Sequence, residues 1–146
     1  MKRPRTSFAL LGLVAATPVI AQVLNSDVLL RDGYRDESHY ATVVRGGITE
    51  EIYTSQTALA AARASEPLPD GTVITMDDFR DGALYRILVM EKRSEWADAS
   101  EAGSWLFREF AADGTPNLTE DGMRCQSCHA SQFANDYVFT YGRMTD

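Results

Sequence analysis

Leu84-Tyr85-Arg86-Ile87-Leu88-Val89-Met90 is the strongest strand signal in the 146-residue chain. Apolar residues fall on both of its faces, which marks a strand covered on both sides and placed inside a sheet. Asp81-Gly82 is a turn just upstream, and residues 72–76 form the next strand candidate before it. Pro67-Leu68-Pro69-Asp70-Gly71 sets proline and glycine where a turn needs special backbone angles. The alanine-dominated run 56–64 reads as a helix capped by Thr54 or Ser55. Residues 39–44 and 49–53 are rich in β-branched and aromatic side chains, and Gly46-Gly47 turns one into the other. Val23, Leu24, Val28, Leu29 and Leu30 suggest a short helix that Asp32-Gly33 ends.

Downstream, residues 91–104 are polar and read as loop or short helix. Trp105 and Phe107 then alternate with Leu106 and Arg108, a strand pattern that Phe110 interrupts. Asp113-Gly114-Thr115-Pro116 is another turn, and Thr119 can cap a short helix over the segment that follows. Asn117-Leu118-Thr119 has the form of a glycosylation sequon, with no role assigned in an export product of bacterial type. Tyr137-Val138-Phe139-Thr140-Tyr141 closes the chain with a strand-like run. Turn signals at 46–47, 67–71, 81–82 and 113–116 leave no room for the four long amphipathic helices of a bundle. The expected fold is α+β and mainly β, an antiparallel sheet with short flanking helices and a helix near the C-terminus.

The first residues, Met1-Lys2-Arg3-Pro4-Arg5, are basic, and an apolar run follows to Ile20. That pattern reads as a cleaved signal peptide over residues 1–21, with a domain over 22–146 exported to the periplasm. Arg3 and Arg5 are split by Pro4, so no twin-arginine signal is present. No later stretch is long and apolar enough for a membrane helix. The chain carries 14 basic and 21 acidic residues. Loss of Lys2, Arg3 and Arg5 leaves 11 basic residues against 21, a net charge of −10. That balance argues against nucleic acid and anionic membranes as partners. It reads first as a plain solvated acidic surface, and would also suit docking to a basic redox protein.

Cys125-Gln126-Ser127-Cys128-His129 is the segment that carries chemistry. Its Cys-x-x-Cys-His spacing is that of c-type haem attachment. Each sulfur can form a thioether with one haem vinyl group, and the histidine can present an imidazole to iron. Cys125 and Cys128 are therefore the expected anchors of one haem c, and His129 the expected metal ligand. A thioredoxin-like redox pair would want a βαβ setting. A zinc site would want more ligands than the single other histidine, His39, provides. A simple disulfide and a chance match are the remaining alternatives. Only 17 residues follow His129, with Met144 the sole methionine among them. An electron carrier ligated by methionine would have to draw on Met76, Met90 or Met123.

The order of Pro69-Asp70-Gly71 before a strand, Trp105-x-Phe107-x-x-Phe110, the Cys125–His129 motif, and Asp136-Tyr137-Val138-Phe139-Thr140 resembles the cytochrome P-460 and cytochrome c′-beta family over nearly all of residues 22–146. The resemblance implies a five-coordinate haem with His129 proximal and a pocket on the opposite face. It implies one of two activities: hydroxylamine oxidation, as in cytochrome P-460, or binding of nitric oxide and related small ligands, as in cytochrome c′-beta. Members are often homodimers. The hallmark that divides them is a lysine cross-linked to the porphyrin. Members often carry that lysine on the strand after the Pro-Asp-Gly turn, which here reads Thr72-Val73-Ile74-Thr75-Met76. Lys92, the one lysine beyond the leader, is the residue left to make such a bond, yet Glu91, Arg93 and Glu95 beside it read as an exposed polar segment. Hydroxylamine chemistry also wants a carboxylate near iron; Glu95, Asp98 and Glu101 precede Trp105, and Glu101 is the preferred candidate because it approaches the aromatic strand. Phe79, Tyr85, Trp105 and Phe107 are the aromatic candidates for the pocket wall. The expected activity is nitric oxide binding.

Overall fold

The structure, a computed structural model, describes residues 25–146. The expected leader lies outside them. The elements are β1 (Ser38–Arg45), β2 (Ile48–Thr54), α1 (Gln56–Arg63), β3 (Val73–Arg80), β4 (Ala83–Lys92), β5 (Trp105–Ala111), α2 (Met123–His129) and α3 (Tyr141–Met144). The five strands form one antiparallel sheet in the order β1-β2-β3-β4-β5. This is the mainly-β, α+β architecture expected.

Strand β4 sits between β3 and β5 and sends alternate side chains to two separate cores. On one face Ala41, Ile52, Ile74, Met90, Trp105 and Phe107 pack under α1 and the C-terminal tail, through Ala58, Leu59, Val138 and Met144. On the other, Val73, Ile87, Val89, Leu106 and Phe110 are covered by Val28, Tyr34 and Trp96. Phe110 therefore does not interrupt the pattern of β5. It stands four residues from Leu106, in phase with it, and fills the second core. Helix α1 begins where Ser55 Oγ accepts a hydrogen bond from the Ala58 amide at 3.2 Å. Thr54, the other cap candidate, donates its hydroxyl to the Val73 carbonyl instead.

Three local expectations need correction. Val23 and Leu24 of the expected first helix lie outside the described residues, and residues 28–31 are not helical. The Arg108 guanidinium donates to the carbonyls of Ser26 and Val28 at 2.7 and 3.1 Å, occupying acceptors a helix would use internally. Thr119 caps no helix, because its hydroxyl is bonded to Asn117 Oδ1, and α2 starts later, after Gly122. The 137–141 run is not a strand. Asp136 and Tyr137 take left-handed backbone angles, with φ of 49° and 63°. The amides of Tyr137 and Val138 are satisfied by the nearby carbonyls of Gln132 and Asn135 rather than by a sheet edge.

Candidate functional site

Cys125, Cys128 and His129 lie on α2 at relative positions i, i+3 and i+4, which puts them on one helical face. All three line a cavity of about 890 Å³ between that helix, the C-terminal tail and the sheet. Gly122 sets how close α2 comes to β5. Its φ is +78°, and a Cβ there would stand 2.8 Å from the Phe107 carbonyl oxygen and 2.6 Å from Asn25 Nδ2. Only glycine fits that backbone and that spacing.

The His129 ring is held from three sides. Its Nδ1 lies 2.6 Å from the Tyr137 carbonyl oxygen, so this nitrogen carries the proton and donates it. Phe107 packs on the ring with centroids 4.6 Å apart, and Phe139 meets it edge-on at 5.0 Å. Burial lowers the imidazole pKa, against a smaller upward pull from the Tyr137 carbonyl. The ring is thus kept neutral with Nε2 as its available lone pair, the state a metal ligand requires.

The tail that supplies that carbonyl is fastened at several points. Asp136 receives Lys92 Nζ at 2.7 and 3.0 Å and the Leu68 amide at 2.8 Å. Thr140 Oγ1 is 2.7 Å from the Tyr40 hydroxyl, whose pKa burial pushes up to about 12, against the lowering effect of this hydrogen bond. The Tyr137 ring covers Gly103, where a Cβ would lie 2.6 Å from the ring. Left-handed angles at two consecutive non-glycine residues cost about 1–3 kcal/mol each, and such contacts are what sustain them.

The sheet wall of the cavity is mostly apolar: Val43, Ile52, Ile74, Met76 and Met90, with Phe107 beside His129. Of the four aromatic wall candidates only Phe107 lines it. Trp105 is buried in the core, and Tyr85 is 60% exposed. Phe79 is half-buried and outside the lining. Glu101 is exposed in the turn before β5 and also outside the lining. The carboxylates that do line the cavity are Glu50 and Asp146, alongside Arg45, Arg108 and Arg143. Glu50 is buried at 8% exposure and bonded to Arg45. Its sequence signal was available: it shares a β2 row with Ile48, Ile52 and Thr54, where a carboxylate is out of place unless used.

Lys92 is not a solvated surface lysine. Its side chain is 16% exposed, and besides Asp136 its ammonium donates to the Leu68 carbonyl at 2.9 Å. It is outside the cavity lining.

The alternatives for the cysteine motif find little support. The motif follows an antiparallel strand, not a βαβ unit. Burial, with the nearby Glu120 charge, raises the Cys125 pKa, opposite to what a redox thiolate needs. Among the described residues no cluster of three or more His, Cys, Asp and Glu side chains could hold a metal ion. One neutral imidazole, two unpaired cysteines and a large apolar cavity instead fit a porphyrin that brings its own four nitrogens. No described helix is long and apolar enough to cross a membrane. The family model for Cytochrome P-460 matches residues 31–140. A search of curated proteins finds no match.

Proposed function

Because the chain belongs to the cytochrome P-460 family, with the haem that membership implies, we propose that it is a periplasmic monohaem c-type protein that binds nitric oxide or a related small nitrogen ligand. Cys125 and Cys128 are the thioether anchors and His129 the single protein ligand to iron. Bound haem supplies an iron with one coordination position left for a diatomic. The chain supplies the rest. The Tyr137 carbonyl fixes the imidazole tautomer, and Phe107 and Phe139 fix its plane. Arg45 and Arg143 are lining cations able to meet the haem propionates. The basic and apolar start of the chain supports export.

The observation that carries the reading is the aliphatic wall. Ile74 and Met76 line the cavity from the strand on which relatives often carry the cross-linking lysine, and Lys92 is committed to Asp136. The aliphatic part of the wall suits an uncharged diatomic and offers a polar ligand no hydrogen bond there. The test is a ferric spectrum and an intact mass of the protein matured with haem. A high-spin spectrum and a mass equal to chain plus haem through two thioethers are expected. A low-spin spectrum would point instead to Met76 or Met90, which also line the cavity, as a sixth ligand in an electron carrier.

Glu50 favours a second reading, hydroxylamine oxidation with electrons passed to an external acceptor. A buried carboxylate on the lining can accept the protons that such oxidation releases. Steady turnover with an acceptor dye would establish it.

A further inference from the structure

We propose that Lys92 is a positioning residue for His129, acting through Asp136 and the Tyr137 carbonyl. This rests on the reading of His129 as the iron ligand and goes beyond it, to how the imidazole is aimed.

The connection runs through contacts of ordinary length. Lys92 Nζ is 2.7 and 3.0 Å from the two Asp136 carboxylate oxygens, and Tyr137 O is 2.6 Å from His129 Nδ1. Between them lie only the two consecutive left-handed residues Asp136 and Tyr137. Non-glycine residues keep such angles only where surrounding contacts over-determine them. Here the contacts converge on one carboxylate: Lys92 Nζ, the Leu68 amide and, at 3.4 Å, Trp105 Nε1. Lys92 is the only full positive charge of the three. Both partners are largely shielded, with 16% and 17% side-chain exposure, so the pair is screened less than a surface pair would be. Lys92 also donates to the Leu68 carbonyl, so one ammonium clamps the 67–71 loop, the end of β4 and the tail together.

Without the lysine charge, Asp136 keeps only neutral donors in a site with little water. The carboxylate then turns toward solvent, the turn relaxes, and the Tyr137 carbonyl leaves Nδ1. An imidazole that loses this acceptor is a weaker electron donor at Nε2 and is free to rotate.

The test uses the haem-loaded full chain in three forms: Lys92→Met, Lys92→Arg and Asp136→Asn. Resonance Raman of the ferrous protein reads the iron–histidine stretch. Electron paramagnetic resonance of the ferrous nitric oxide adduct reads whether histidine stays bound. Lys92→Met and Asp136→Asn should both shift the stretch to lower frequency and lower the share of the nitric oxide adduct that keeps histidine bound. Lys92→Arg keeps the charge and should stay close to the parent protein. If Lys92→Met does not fold, Asp136→Asn carries the test, since its amide oxygen still accepts from Leu68. An unshifted stretch in the folded neutral variants overturns the proposal and leaves His129 ligation standing. A parent protein with no iron–histidine stretch overturns the ligation reading and the proposal with it. A haem mass bonded to Lys92 overturns the proposal as well, because that nitrogen could not then pair with Asp136.

Discussion

Arg45 pairs with Glu50 across the β1–β2 hairpin, and both side chains line the cavity that His129 enters. The pair is asymmetric: the Arg45 side chain is 65% exposed, the Glu50 side chain 10%. On the hydroxylamine reading, a carboxylate so placed would take up the protons the oxidation releases. Glu50→Gln is therefore expected to leave nitric oxide affinity unchanged, since a neutral diatomic exchanges no proton. Any hydroxylamine-oxidising turnover should fall by about 100-fold or more in the same variant. Equilibrium nitric oxide titration and a dye-coupled turnover assay separate the two effects.

Phe107 is shared between the sheet core and the imidazole. Phe107→Ala removes a buried ring and the face that His129 packs on. The expected destabilisation is about 3–5 kcal/mol, read by urea unfolding. The iron–histidine band should broaden in the same variant, because the ring plane is no longer fixed.

Gly122 holds α2 against β5. Gly122→Ala places a methyl 2.8 Å from the Phe107 carbonyl oxygen, on a backbone with φ of +78°. It should destabilise the fold by more than about 1 kcal/mol. Gly71→Ala is the control: its φ is +79° but nothing lies within 4 Å of the added methyl. Thermal unfolding of the two variants should rank Gly122→Ala as the more destabilised, the difference reporting the close approach alone.

Asp78 ties stability to acid. Its buried side chain faces Arg80 on its own strand and Arg86 directly across β4. Burial alone would raise the carboxyl pKa, but the hydrogen bonds and charges of Arg80 and Arg86 outweigh it, and the net shift is downward. A carboxyl whose pKa is lower folded than unfolded stabilises the fold at pH values above its ordinary range. That contribution is lost as pH falls from the ordinary range through the depressed value. Asp78→Asn should be less stable at neutral pH, and its stability should fall less steeply with acid. Urea midpoints measured from neutral to pH 3 would check this, and parallel slopes would refute it.

If haem is held through two thioethers, each sulfur contributes separately to its retention. Cys125→Ala and Cys128→Ala should each keep haem through a single thioether. The double variant should release it to acidified acetone. Haem staining of denaturing gels distinguishes the three.

The sheet and the family were legible in the sequence alone. Period-two apolar runs separated by glycine and proline turns can satisfy their hydrogen bonds and bury their side chains in few ways, and an antiparallel meander is the simplest. The Cys125–His129 motif was equally legible, because its meaning lies in spacing along one helix turn. Where sequence reading failed, the deciding contact was distant. Arg108 takes the carbonyls of Ser26 and Val28, and the 137–141 run turns through left-handed angles with Asp136 anchored by Lys92, 44 positions earlier. Lys92 looked solvated because its sequence neighbours are charged, but on a strand those neighbours point to the other face. Glu50 reaches the cavity through its place in the β2 row, whereas Glu101 is exposed in the turn before β5. Local order along the chain encodes which elements form, whereas which side chains meet around the imidazole depends on how the tail folds back over the sheet, a matter of packing between residues far apart in sequence.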